Sequence, residues 1–183
     1  DPGYEYLDRI RSIKDSAINK VFQRIRKNFL EVEESSPGLI KDINYVKRHL
    51  PYAGEVLLGH LRYGTHGKNR LENAHPVVRQ NNWKSRTLVL AGNFNLTNVD
   101  EIFTHLVELG QHPRGIYDTI TMLENVGHFL DAENQKEFIK YKRQAKSNRA
   151  ISEAIEENIS IKSILKDSSK KWDGGYVIAG LIG

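Results

Sequence analysis

The sequence predicts an α+β fold, and three observations carry that prediction. Amphipathic helical patterns and short apolar runs are interleaved irregularly, without the strand, helix, strand rhythm of a doubly wound sheet. No repeat of fixed period and no low-complexity linker divides the chain. Its 183 residues, 39% hydrophobic and 27% charged, suit one compact domain with a buried core. The expected organisation is a single domain over residues 1–183, with a helical lead-in at 1–50 and a motif-bearing core at 51–183.

The first element is helical, because Ile10, Ile13, Ala17, Val21, Ile25 and Phe29 recur every three to four residues among charged neighbours. Ser35, Ser36, Pro37 and Gly38 supply the turn that stops it, and a shorter helix is expected over 40–49. After Pro51 the character changes. Residues 55–63 (EVLLGHLRY) form an apolar run too short for a typical helix, which predicts a buried strand. Further strands are expected at 76–79 and at 86–91 (RTLVLA), the latter running into a turn at GNFN.

Helix signals return at Asn98, an N-cap with Glu101 in capping-box position and Gly110 as the stop, so that Ile102, Phe103, Leu106 and Leu109 share a face. Asp118 can cap a helix carrying Ile120, Leu123, Glu124 and His128. Within 136–149, Phe138, Ile139 and Tyr141 suit the inward stripe of a basic helix, and a long polar helix is predicted over 150–165. The last stretch, 174–183 (GGYVIAGLIG), reads as a glycine-flanked strand. A lone terminal strand needs sheet partners, so the chain is expected to be a segment of a larger domain.

The chain contains no cysteine, which excludes disulfides, thiolate metal sites and a cysteine nucleophile within it. It has no apolar run of about 20 residues and no signal-like start, so a cytoplasmic protein without a membrane partner is expected. A net charge of +4 and a pI near 9.2 raise nucleic acid as a partner. The bases cluster only weakly, in 136–149, and read better as a solvated helix face than as a nucleic-acid patch. His60, His66 and His75 match no zinc spacing, and no metal or other cofactor is expected in this segment.

Residues 59–98 (GHLRYGTHGKNRLENAHPVVRQNNWKSRTLVLAGNFNLTN) concentrate glycine, asparagine, threonine and an arginine at strand ends. Arg62 stands inside an apolar run, where a guanidinium needs a partner; a bound carboxylate or an internal Asp or Glu would both serve. Asn93, at the end of a strand, has an amide able to donate to a developing oxyanion or to close an Asx-turn.

GHLRYGTHG, ENAHP and GNFNLTN, in this order and at these separations, resemble Gly-His-x-Arg-Tyr-x-Thr-x-Gly, Glu-Asn-Ala-Gln-Pro and His-Asn-Gly-Asn-Leu-Thr-Asn. That pattern belongs to the glutaminase domain of amidophosphoribosyltransferases, class II glutamine amidotransferases of the N-terminal nucleophile hydrolase superfamily. The resemblance is dense over 59–98, thinner at Tyr117, Asp118, Thr119 and 174–181, and shows no motif before Pro51. It implies a four-layer αββα sandwich, incomplete at both ends here. It also implies a transferase whose full-length form makes phosphoribosylamine from glutamine and phosphoribosyl pyrophosphate in purine biosynthesis.

In such enzymes an N-terminal cysteine attacks the glutamine amide, its own α-amino group serves as base, and ammonia passes to an acceptor domain. By resemblance, Arg62 binds the α-carboxylate of L-glutamine, Asp118 binds its α-ammonium, and Thr65 lines the pocket. Asn93 and the backbone N–H of Phe94 would form the oxyanion hole. A phosphoribosyltransferase domain in the same chain, Mg2+ with its phosphoribosyl pyrophosphate, and homo-oligomerisation are likewise implied.

The sequence departs from the pattern at Gly92, Phe94, His66, His75 and Ile120. A turn requiring positive φ would strain Phe94. With no cysteine, the segment alone is expected to be inactive, as a truncated enzyme. The alternative is a non-catalytic glutamine-sensing or scaffold domain.

Overall fold

The computed structural model describes residues 7–61 and 71–183. It combines helices with a small antiparallel sheet, in two compact units, Asp1–Pro76 and Val77–Gly183.

In the first unit α1 spans Ala17–Ser35, a 3-10 turn covers Leu39–Lys41, and α2 spans Ile43–His49. Ile10 and Ile13 precede α1, because Ser16 adopts a left-handed backbone at φ 56° and starts the helix later than the periodicity implied. Ala17, Val21, Ile25 and Phe29 make the half-buried face expected of them. Asp42 divides the second helical stretch: its Oδ1 accepts from the N–H groups of Asn44 at 2.9 Å and Tyr45 at 3.2 Å, capping α2.

The strand expected over 55–63 does not form over its described residues, 55–61. Residues 56–61 have no regular structure, and Val56, Leu57 and Leu61 are exposed by 66%, 80% and 73%. The rest of the run lies outside the described residues. An apolar run becomes a strand only when another strand takes up its backbone groups, and this unit offers none among its described residues.

The second unit is built on a three-stranded antiparallel sheet, β1 (Val77–Arg79), β2 (Leu88–Leu96) and β3 (Gly174–Ile182), with β2 in the middle. Val77 pairs with Leu90, and β2 pairs with β3 over nine positions from Leu88↔Ile182 to Leu96↔Gly174. The GNFN stretch is therefore strand and not the turn the sequence suggested. Phe94 sits opposite Tyr176 in that ladder and has no positive φ; among the described residues the non-glycine ones that do are Ser16, Tyr52 and Ala145. Gly92 does need to be glycine, for a different reason: a Cβ there would lie 2.2 Å from the Val177 carbonyl oxygen.

Helix α3 spans Val99–Glu108 and is followed by Gly110 at φ 82°. Ile102 and Leu106 are buried as expected, but Leu109, past the helix end, is 43% exposed. The two helices expected around Asp118 and in 136–149 merge into one, α4 (Asp118–Lys142). Its Leu123, Val126 and Leu130 pack with Val77, Leu88, Leu90 and Ile164 to form the core. Each such side chain contributes about 1.5–3 kcal/mol by leaving water. Further along α4, Tyr141 is buried and Phe138 half-buried, whereas Ile139 is 44% exposed.

The helix predicted over 150–165 is instead two, α5 (Asn148–Asn158) and α6 (Ile161–Ser168). Ser160 breaks them by accepting from the Ser163 N–H at 3.2 Å. Ile159, extended at the break, packs against both the sheet core and a second cluster of Tyr141, Ile151, Ala154 and Ile155.

Candidate functional site

Arg62, Thr65 and His66 lie outside the described residues. Asn93, Phe94 and Asp118 all fall in the unit Val77–Gly183. Leu88 and Leu90 pack against α4, so the two-residue period of β2 puts Phe94 on that face and Asn93 on the opposite one, beside Val89 and Ala91. Asn93 is exposed and stands across from Val177, itself 72% exposed. Its amide points from a regular strand, with no Asx-turn to close.

Asp118 is the first residue of α4, and Tyr117 occupies the cap position. The Asp118 carboxylate does not cap the helix: among the described residues its Oδ1 accepts from the adjoining Thr119 N–H, at 3.1 Å. No cation of the described residues pairs with it. A half-buried carboxylate in the first helical turn is stabilised by the macrodipole.

The Thr97 and Asn98 end of the motif block has a structural task. Asn98 Nδ2 donates to the Lys171 carbonyl at 2.7 Å, and its Oδ1 accepts from the Asp173 N–H at 3.1 Å. Thr97 donates its hydroxyl to the Asp173 carboxylate and its N–H to the Asp173 carbonyl, 2.9 Å away. These bonds tie the end of β2 to the approach to β3, next to Trp172, whose Nε1 donates to the buried Asn125 Oδ1 at 3.0 Å. Asn98 is at the cap position as expected, but it makes no side-chain cap and only a 3.5 Å contact with Glu101.

One ion-pair network was not singled out by the sequence. Arg79, at the end of β1, donates from Nε to Glu124 Oε2 at 3.0 Å and from a terminal nitrogen to Asp131 Oδ2 at 2.6 Å. Burial alone would lower its pKa, but hydrogen bonding and charge from Asp131, then Glu124, outweigh that and raise it. Gly127 admits the guanidinium onto α4, since a Cβ there would meet Arg79 Cδ at 2.5 Å. The available signal was two acids seven residues apart on a helix with a glycine between them. A second such contact joins Ser85 to Asn134: the Ser85 hydroxyl donates to Oδ1 at 2.6 Å, and Nδ2 donates back to the Ser85 carbonyl at 3.0 Å.

In the unit Asp1–Pro76, His60 and His75 stack with ring centroids 4.6 Å apart, and His75 is buried. No group of three or more His, Asp or Glu among the described residues is placed to hold a metal ion. No helix among them is long and apolar enough to cross a membrane.

No family model matches the chain. The chain is similar to amidophosphoribosyltransferase 3, chloroplastic, of Arabidopsis thaliana, at 29% identity over 102 residues, which is 56% of this chain and 18% of that protein. It is also similar to the amidophosphoribosyltransferase of Archaeoglobus fulgidus, at 35% identity over 96 residues, 52% of this chain and 21% of that protein. The matched stretch thus spans about a fifth of the length of these relatives.

Proposed function

We propose that this chain is the glutamine-binding part of an amidophosphoribosyltransferase-like enzyme of purine biosynthesis, with the N-terminal nucleophile hydrolase fold. The observation that carries this reading is the ordered set GHLRYGTHG, ENAHP and GNFNLTN in a chain similar to two proteins of that name. A zwitterionic amino acid needs one fixed cation and one fixed anion. Arg62 supplies the first and Asp118 the second, with Thr65 lining the pocket. The half-buried carboxylate of Asp118 at the start of α4, with no cation among the described residues paired to it, supports its share of this role.

Asn93 polarises the side-chain amide, and the Phe94 N–H assists. The thiol that attacks is supplied by a cysteine outside this chain, and the ammonia released goes to a phosphoribosyltransferase domain using phosphoribosyl pyrophosphate with Mg2+. In the full-length protein, calorimetry should show glutamine binding that Arg62→Ala and Asp118→Ala abolish. Asn93→Ala should leave binding intact and slow glutamine hydrolysis by about 10²–10³-fold. A full-length protein that lacks an N-terminal cysteine after processing, or that binds no glutamine, overturns the reading.

The placement of Gly92, Asn93 and Phe94 in a regular ladder favours a second reading, a glutamine-sensing or scaffold domain. Glutamine binding without hydrolysis by the full-length protein selects it.

A further inference from the structure

Residues 7–13 carry no family motif and no regular structure, yet they are tied to two distant points of the unit Asp1–Pro76. The Asp8 carboxylate accepts from the Tyr52 N–H at 2.8 Å, and the Tyr52 hydroxyl donates back to the Arg9 carbonyl at 3.4 Å. The half-buried Arg11 guanidinium donates from Nη1 to the Ala74 carbonyl at 2.8 Å and to the Glu72 carbonyl at 3.3 Å. Burial and the nearby Arg9 lower the Arg11 pKa, and the charge of Glu72 offsets part of that. A cation taken partly out of water is costly unless it is hydrogen-bonded, so the two carbonyls hold the guanidinium and are held by it.

The two anchor points bracket the stretch that carries the proposed carboxylate ligand. Arg62 stands ten residues after Tyr52 and ten before Glu72, with Thr65 in the same stretch. At one end, Tyr52 has a left-handed backbone at φ 65°, which a non-glycine residue keeps only where its surroundings impose it. At the other, Glu72, Asn73 and Ala74 open the ENAHP motif on the 3-10 turn Leu71–Asn73.

We propose that Arg11 and Asp8 are positioning residues of the glutamine site, holding both ends of the stretch that presents Arg62. This role depends on the reading that Arg62 receives the glutamine α-carboxylate. Anchored ends remove in advance part of the chain entropy that closing on a ligand would otherwise cost. The α-carboxylate is remote from the amide that reacts, so loosening its ligand weakens ground state and transition state equally. Asn93 and Phe94 belong to the other unit, in a strand ladder that Arg11 and Asp8 do not enter. Losing either anchor therefore raises KM and spares kcat.

In the full-length protein, Arg11→Met keeps the apolar stem and removes the donors. It should raise the glutamine KM, and the Kd by calorimetry, about tenfold while kcat stays within about twofold. Arg11→Lys, whose ammonium still donates, should bring KM back to within about threefold of the parent. Asp8→Ala should act like Arg11→Met, and Asp8→Asn, which keeps an acceptor oxygen, should not; this pair decides if Arg11→Met fails to fold. Amide exchange reads the anchors without glutamine: Arg11→Met should speed it over 71–75 and leave Val77–Gly183 unchanged.

A full-length parent that binds no glutamine overturns the glutamine reading and this role with it. A parent that binds glutamine no better than Arg11→Met and Asp8→Ala overturns the role alone. So does an equal KM for Arg11→Met and Arg11→Lys, which would make packing and not donation the task of the side chain. A fall in kcat without a rise in KM, or unchanged exchange over 71–75, does the same.

Discussion

The units Asp1–Pro76 and Val77–Gly183 are both supplied with large apolar residues, but only the second turns them into a core. There Leu88, Leu90, Leu130, Ile151, Ile155 and Ile164 are almost wholly buried. In the first, Leu50 is the buried hydrophobic residue among those described, while Phe22, Ile43, Val56, Leu57 and Leu61 stand more than half exposed. The second unit has a three-stranded sheet with a 25-residue helix laid on it, so each apolar side chain finds partners far along the sequence. The first has helices and, over 56–61, a run without regular structure. Hydrophobicity supplies the driving force for burial, but long-range partners decide where it is realised.

The sharpest way to break this contrast is truncation. Leu130→Ala, at 0% exposure in the core, should cost about 2–5 kcal/mol in chemical denaturation. Leu57→Ala, at 80% exposure, should stay within about 0.5 kcal/mol. Equal costs would mean that the exposed run is covered and that the contrast is false.

A smaller effect tests how α4 is fastened to β1. Gly127→Ala gains about 1 kcal/mol of helix propensity but drives a methyl into Arg79 and its bonds to Glu124 and Asp131, which costs about 1–3 kcal/mol. A net loss is expected by thermal unfolding. It should disappear in an Arg79→Ala background, and a net gain in the unmodified chain would show that the guanidinium moves aside freely.

The smallest effect sharpens the reading of the motif tail. Asn98→Ala should cost about 1 kcal/mol through its lost bonds to Lys171 and Asp173. Glu101→Ala, whose capping box is not made, should leave stability unchanged in the same denaturation assay. The reverse order would restore the capping box.

Periodicity located the helices well where one face is apolar. It failed at their ends, because those depend on single side chains capturing backbone groups. Asp42 divides one expected helix and Ser160 another, while nothing between Asp118 and Lys142 interrupts the merged α4. Strand prediction succeeded at β1, β2 and β3, where a partner exists, and failed at 55–63, where none does among the described residues.

Of the candidate site, Asp118 was legible as a helix start, and only the structure shows that its carboxylate is not occupied in capping. For the Arg79 clamp the sequence showed only the two acids and the glycine between them, because Arg79 lies 45 and 52 residues from Glu124 and Asp131.

The sequence by itself determined the α+β class, the helical faces, the motif residues and the absence of a thiol, all of which depend on residue identity and local spacing. The tertiary structure alone decided that GNFN lies in a strand, that Asn98 clamps the approach to β3, and that Arg79 is held across α4. Each of these depends on a partner brought from far along the chain, and local spacing carries no record of which partner arrives.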